Sequence, residues 1–161
     1  MGQQGTLTRI WARRGTRPRA PRDTWYKWSY IFSATCPARG VAAGLVLPYV
    51  DAQAMNLHLV EIAKAVAPGA HALLILDGAG WHKAKALKLP DNISLLKLPP
   101  YAPQLNPMEN VWAYLRANKL AITVFDTYED ILDKCTDAWN FFATDPARIT
   151  SITQRDWITV N

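Results

Sequence analysis

The chain has 161 residues, half of them apolar, and a formal net charge of +5. This length is typical of a single globular domain that can bury a core. No apolar run is long enough to cross a membrane and no signal-peptide pattern opens the sequence, so we expect a cytoplasmic protein. Cys36 and Cys135 lie far apart without metal-ligand spacing, which argues against a cysteine-based metal site and predicts two reduced core thiols.

Positive charge is concentrated near the amino terminus. Residues 1–27 carry seven basic side chains against the single acid Asp23, whereas residues 121–161 carry three bases against seven acids. Within an expected exposed loop, the arginines are Arg13, Arg14, Arg17, Arg19 and Arg22. Arginine forks suit phosphate oxygens, so this loop predicts contact with a polyanion such as DNA. A basic surface that is only solvated is the alternative.

The first elements along the chain are predicted to be three strands in a meander. Residues 6–12, 24–36 and 40–48 are rich in β-branched, aromatic and other apolar side chains. The second of these segments holds a row of aromatic residues, namely Trp25, Tyr26, Trp28, Tyr30 and Phe32. We expect this row to contribute to the sheet core, and stacking on bases is the alternative.

A helix is predicted after Asp51. Met55, Leu59, Ile62 and Val66 recur at helical spacing, and the helix should end near Pro68 and Gly69. Asp51 is well placed to cap its amino terminus, a role that we favour over a catalytic one.

Asp77 ends a short apolar run, residues 72–76. An uninterrupted apolar run bounded by turn residues fits a parallel strand that is buried on both faces. Asp77 would then lie at the carboxyl end of a core strand, where open α/β sheets place their sites. A turn formed by Asp77 and Gly78 is the structural alternative.

A second acid follows a proline-rich stretch. Residues 93–98 are predicted as a strand, and four prolines between residues 99 and 107 favour a stiff, non-helical run. Asn106 can cap a helix that begins at Pro107, which places Glu109 in its first turn. Glu109 then has either a chemical role or a role in a capping box with Asn106.

The last predicted helix begins at Thr127, with Glu129 and Asp130 in its first turn. Its apolar face should cover the sheet. Residues 1–145 are therefore predicted to form one α/β domain with a mixed sheet, and residues 146–161 a loosely structured tail.

Two stretches together resemble the catalytic core of DDE transposases, specifically the Tc-mariner-like group of bacterial insertion sequences. They are Leu-Asp-Gly-Ala-Gly-Trp-His at residues 76–82 and Leu-Pro-Pro-Tyr-Ala-Pro-Gln-Leu-Asn-Pro-Met-Glu-Asn-Val-Trp at residues 98–112. The resemblance implies a ribonuclease-H-like mixed sheet with flanking helices, at whose end three acids meet. By this resemblance Asp77 is the second acid and Glu109 the third.

The first acid of that family lies in an Asp-Glu pair on the first strand, ahead of the segment that corresponds to residues 2–5. Since this sequence begins at Met1, we expect that strand and its acid to be missing. The strand is central in the family's sheet, so we also expect two strand edges without partners.

The chemistry implied by the resemblance is cleavage of DNA phosphodiesters and strand transfer. Asp77 and Glu109 would bind Mg²⁺ or Mn²⁺, because hard cations favour carboxylate oxygens. His82 could orient a phosphate or a water, and Lys83 and Lys85 could hold the DNA backbone, although a turn with solvated lysines explains these three residues equally well. The resemblance also implies a homodimer or a larger assembly.

Two other functions remain open. One is a non-catalytic DNA-binding remnant of a transposase whose set of acids is incomplete. The other is a structure-selective nuclease of the same fold, such as a junction resolvase, which the proline-rich motif does not support.

Overall fold

The computed structural model describes residues 12–16, 27–77, 86–100, 102–121 and 124–158. Strands β1 (Tyr30–Cys36) and β2 (Val41–Leu47) pair in antiparallel register, from Tyr30 opposite Leu47 to Cys36 opposite Val41. A single 3₁₀ turn, Pro37–Arg39, and Gly40 at φ +59° connect them. This hairpin confirms the prediction for the described part of residues 24–48. Residues 6–11 and 24–26 of the predicted strands lie outside the described residues.

Helix α1 (Ala52–Ala65) follows β2 and begins where the sequence predicts. The Asp51 side chain accepts a hydrogen bond from the Ala54 amide at 2.7 Å, so Asp51 is the cap. The buried face of α1 packs on both pairs of strands, in a core cluster that includes Phe32, Met55, Leu59 and Ile93.

Strands β3 (Ala72–Leu76) and β4 (Ile93–Lys97) pair in parallel, with Ala72 opposite Ile93 and Leu76 opposite Lys97. Leu74 and Leu95 face the α1 core, but the alternate residue Leu73 is 59% exposed. The prediction of a strand buried on both faces is therefore wrong. The reason is that α1 covers only one face, and successive side chains in a strand point to opposite faces.

Within the described residues, the four strands form two separate two-stranded sheets rather than one mixed sheet. No described strand joins β1 to β3. The α/β class is confirmed, and the ribonuclease-H-like arrangement stays a prediction.

Three helices form a second layer: α2 (Met108–Asn118), α3 (Tyr128–Ala143) and α4 (Pro146–Thr153). Their shared core contains Val111, Leu115, Trp139, Phe142 and Ile149. It packs on the face of the β1–β2 hairpin that α1 does not cover, through Ile31 and Ala42.

The expectation of a loosely structured tail is wrong for residues 146–153. Asp145 caps α4 by accepting a hydrogen bond from the Arg148 amide at 3.0 Å, and Ile149 and Thr153 are fully buried. The Thr150 hydroxyl donates to the Pro37 carbonyl at 2.7 Å, which ties α4 to the turn of the hairpin. Across the described part of the chain, no helix has the length and apolarity needed to cross a membrane.

Candidate active site

Asp77 lies directly after β3 and is exposed. The Leu98 amide donates to the Leu76 carbonyl at 2.8 Å, which extends the parallel ladder by one step beyond β4. The proline-rich segment therefore leaves the sheet beside the residue that precedes Asp77. This is the carboxyl end of the strand pair, as the sequence predicts.

The proline-rich segment contains one short 3₁₀ turn, Pro103–Leu105, in which the Leu105 amide donates to the Ala102 carbonyl at 3.1 Å. Apart from that turn its described residues are irregular up to the start of α2. Proline removes amide donors and fixes φ, so this segment cannot continue β4 or start α2 early.

Glu109 stands in the first turn of α2, with an exposed side chain. The Asn106 side-chain oxygen accepts a hydrogen bond from the Met108 amide at 3.1 Å, and the Asn106 carbonyl accepts one from the Glu109 amide at 3.2 Å. Asn106 thus accepts hydrogen bonds from two amides at the start of the helix, and the Glu109 side chain takes no part in this capping. Among the described residues, the Glu109 carboxylate has no hydrogen-bond or ion-pair partner.

Helix α3 shows what a complete capping box looks like in this chain. The Thr127 hydroxyl accepts from the Asp130 amide at 3.1 Å, and the Thr127 amide donates to the Asp130 carboxylate at 2.8 Å. The hydrogen bond from the Thr127 amide to the carboxylate, and after it the Thr127 side chain, lower the pKa of Asp130. Glu109 makes no such reciprocal bond, so the capping-box alternative for Glu109 is wrong.

The start of α2 is anchored to β1. The Thr35 hydroxyl lies 3.7 Å from the Met108 sulfur, and Val111 and Leu115 are fully buried beneath the helix. Glu109 therefore projects from a support with little freedom to move, which is the arrangement that a ligating or catalytic carboxylate needs.

The two acids belong to different parts of the fold. Asp77 follows the β3–β4 pair, whereas α2 rests on β1, α3 and α4, and the α1 core joins the two parts. Across the described ranges, no group of three or more His, Cys, Asp or Glu side chains is arranged to hold a metal ion. Asp77 and Glu109 remain predictions as metal ligands and catalytic residues.

Two of the predicted DNA-binding residues are described. Arg13 and Arg14 are exposed in a turn that is closed by hydrogen bonds from the Thr16 amide and hydroxyl to the Arg13 carbonyl, at 3.0 and 2.6 Å. Six others lie outside the described residues, namely Arg17, Arg19, Arg22, His82, Lys83 and Lys85.

Asn56 on α1 makes long-range hydrogen bonds that no sequence pattern predicts. Its amide group donates to the Ala86 carbonyl at 3.0 Å and accepts from the Lys88 amide at 2.8 Å. These two hydrogen bonds attach the segment that follows residues 78–85 to α1. An asparagine within a helix carries no sequence signal for such a long-range contact.

Comparison with known proteins identifies the family. Residues 1–132 match the model of the DDE superfamily endonucleases, which covers most of the chain. The chain belongs to the DDE superfamily endonucleases. This result confirms the resemblance seen in the sequence motifs.

A curated relative of this endonuclease is the "Uncharacterized protein y4pE/y4sA" of Sinorhizobium fredii (strain NBRC 101917 / NGR234). It is 54% identical over 130 residues, which cover 81% of this chain and 96% of the relative. No solved structure matches the chain. The family match ends within α3, although the core of the endonuclease continues through the rest of α3 and α4.

Proposed function

We propose that this endonuclease is the transposase of a bacterial insertion sequence, which cleaves DNA phosphodiesters and joins the ends to target DNA in a metal-dependent reaction. Family membership supports a nuclease. The observation that carries the proposal is the Glu109 carboxylate, which is exposed on a rigid helix start and has no structural partner among the described residues.

The donor chemistry of the two acids fits a hard divalent cation. Mg²⁺ and Mn²⁺ favour carboxylate oxygens, and Mg²⁺ keeps several waters and shares phosphate oxygens of the substrate, so few protein ligands are needed. We assign Asp77 and Glu109 as these ligands. The bound cation supplies activation of the attacking oxygen and neutralisation of charge on the phosphate.

The remaining roles belong to the chain's own residues. The end of β3 fixes the backbone at Asp77, and the buried face of α2 fixes the backbone at Glu109, so both carboxylates are held by regular elements rather than by long loops. Arg13 and Arg14, with the other basic residues of the amino-terminal segment, bind those DNA phosphates that lie at a distance from the acids.

The family resemblance supplies the rest of the proposal. A first acid, on a strand that lies between β1 and β3 in a ribonuclease-H-like sheet, completes the set of three. The active form is a dimer or larger assembly on DNA in the cytoplasm.

A nicking assay on supercoiled plasmid with Mg²⁺ or Mn²⁺ tests this function. It compares this chain with a chain extended by the residues encoded upstream of Met1, where the resemblance places the first acid. In each background, Asp77→Asn and Glu109→Gln are the test variants. Asp91→Asn and Glu129→Gln are matched controls, because Asp91 is an exposed acid near β4 and Glu129 is an exposed first-turn glutamate of α3.

We expect nicking by the extended chain, a loss of at least about a hundredfold in both test variants, and unchanged activity in both controls. Isothermal titration with Mn²⁺ should show weaker binding in the same two test variants. Nicking that survives Asp77→Asn or Glu109→Gln would refute the assignment of that residue. An extended chain that binds DNA and never nicks it would favour the non-catalytic remnant.

A further inference from the structure

Two aromatic side chains, Trp28 and Tyr30, are exposed where the chain enters strand β1. Trp28 is 44% exposed and Tyr30 is 40% exposed, although Ser29 between them is fully buried. The Ser29 hydroxyl donates to the Leu47 carbonyl at 3.4 Å, which fixes Ser29 against the end of β2. Because successive side chains of an extended chain point to opposite faces, Trp28 and Tyr30 share the face that Ser29 does not. Two neighbouring aromatic rings in solvent on one face indicate a binding surface, which we name the aromatic pair.

Helix α1 covers the same face of the hairpin but leaves the aromatic pair exposed. Phe32, the next residue after Tyr30 on that face, is buried in the α1 core. The Arg39 guanidinium donates to the Ala65 carbonyl at 3.2 Å, so the end of α1 lies at the turn of the hairpin. The start of α1 follows the end of β2. The aromatic pair therefore lies at the open end of the hairpin, beside the start of α1.

Asp77 lies at this same end of the fold. The Asn92 side chain donates to the Ala63 carbonyl at 3.1 Å, which places the start of β4, and of β3 beside it, next to the end of α1. From there β3 runs back along α1, and Leu74 packs against the α1 core on the way. The five residues of β3 span about 17 Å and the fourteen residues of α1 span about 21 Å, so β3 ends near the start of α1. The aromatic pair and Asp77 thus belong to one end of the molecule.

We propose that Trp28 and Tyr30 form a platform on which unpaired bases of a DNA strand stack while that strand is held at the acids. Every base has a flat face, so aromatic side chains hold single strands without regard to sequence. Lys27, immediately before Trp28, is exposed and adds positive charge beside the rings, as a strand of alternating bases and phosphates requires. This inference rests on the proposed function, in which cleaved ends are joined to target DNA, and extends it to a surface that binds bases.

Two other uses of the same surface make different predictions. An apolar surface for a protein partner needs area rather than aromatic faces, so leucine at position 28 or 30 would preserve it. A surface that binds only phosphates would hold a strand without bases as well as a strand with them. Base stacking alone requires both the ring on the protein and the base on the strand.

The test is fluorescence anisotropy with the full chain in EDTA and a labelled strand of 20 thymidine nucleotides. A strand of the same length and charge in which every site is abasic is the second probe. Trp28→Leu and Tyr30→Leu are the test variants, each independent of the other, and Trp28→Phe is the conservative variant. Trp157→Leu is the matched control, because Trp157 is also 44% exposed but lies in the carboxyl-terminal 3₁₀ turn. Circular dichroism melting checks that every variant is folded.

We expect Trp28→Leu and Tyr30→Leu each to weaken binding of the thymidine strand about tenfold, and Trp28→Phe and Trp157→Leu to change it less than about threefold. Binding of the abasic strand should be weaker than that of the thymidine strand and should change less than about twofold in every variant. Equal losses on the two strands, no loss in either test variant, an equal loss in Trp157→Leu, or no binding of the thymidine strand by the unsubstituted chain would each overturn the proposal.

These outcomes are separable from those of the nicking assay, because stacking is measured without metal. Base binding that depends on Trp28 and Tyr30, without metal-dependent nicking, would defeat the proposed catalytic function and leave the platform standing. Nicking that depends on Asp77 and Glu109, with strand binding that ignores the aromatic pair, would defeat the platform alone.

Discussion

Gly44 is the position at which the packing of α3 on the hairpin can be tested most directly. Gly44 lies in the middle of β2, and the Trp139 indole packs against it. A Cβ atom at this position would lie 2.5 Å from the indole Nε1 and 2.8 Å from Cζ2, and it would also overlap Cε2. Carbon contacts are comfortable at about 3.5–4.0 Å, so Gly44→Ala forces the indole or the strand to move by about 1 Å.

Overpacking of this kind lowers the free energy of unfolding by about 1–3 kcal/mol. Replacing a strand glycine by alanine also reduces the conformational entropy that is lost on folding, which offsets about 0.5–1 kcal/mol of that loss. We expect Gly44→Ala to lower the free energy of unfolding by about 1–2 kcal/mol. For a chain of this size the melting temperature should fall by roughly 2–8 °C.

Urea unfolding followed by circular dichroism measures these free energies, with the slope checked for two-state behaviour. In a Trp139→Leu background the indole is gone, so the cost of Gly44→Ala should shrink by at least about 1 kcal/mol. Gly69→Ala is the control, because Gly69 has φ +75° with nothing within 4 Å and its cost is backbone strain alone. That cost should be the same with or without Trp139. A full cost of Gly44→Ala in the Trp139→Leu background would refute the packing argument.

Three further outcomes follow from the helical layer. Ile149→Ala should lower the free energy of unfolding, measured in urea, by about 2–4 kcal/mol, because Ile149 is fully buried. A loss below about 0.5 kcal/mol would mean that α4 is not part of the core. The lowered pKa of Asp130 means that its contribution to stability is present above about pH 4 and is lost as the pH falls through its folded-state pKa. The melting temperatures of Asp130→Asn and the parent should therefore differ at pH 7 and converge as the solution is acidified below that pKa. Burial raises the pKa of the Cys135 thiol above its ordinary value of 9.0, so the contribution of the neutral thiol to stability is present below that value and is lost at higher pH. Cys135→Ala should therefore flatten the fall in melting temperature above about pH 9.

The elements of the fold could be predicted well where a local signal exists. Asp51 and Thr127 are caps by residue type and position, and both make the expected hydrogen bonds. Residues 146–153 were missed because their apolar positions are few. They become a helix through contacts with distant residues, such as the bond from Thr150 to Pro37 and the approach of Pro146 to Gly40.

The candidate site shows the same division between local and distant information. Asn106 and Glu109 stand at capping-box spacing, and that spacing cannot tell which side chain closes the helix start. The structure shows which one caps the helix: the Asn106 side chain accepts a hydrogen bond from the Met108 amide, and the Glu109 carboxylate has no hydrogen-bond partner among the described residues. Similarly, the apolar composition of residues 72–76 predicts a strand, and only the placement of α1 decides which face of it is covered.

The sequence by itself determined the family, the two acids offered as ligands and most element boundaries, because motifs, caps and periodicity are local in the chain. Only the tertiary structure decided that Gly44 must lack a side chain and that α4 belongs to the core. These facts depend on which surfaces meet after folding. Pairings between residues a hundred positions apart leave no periodic trace in a single sequence.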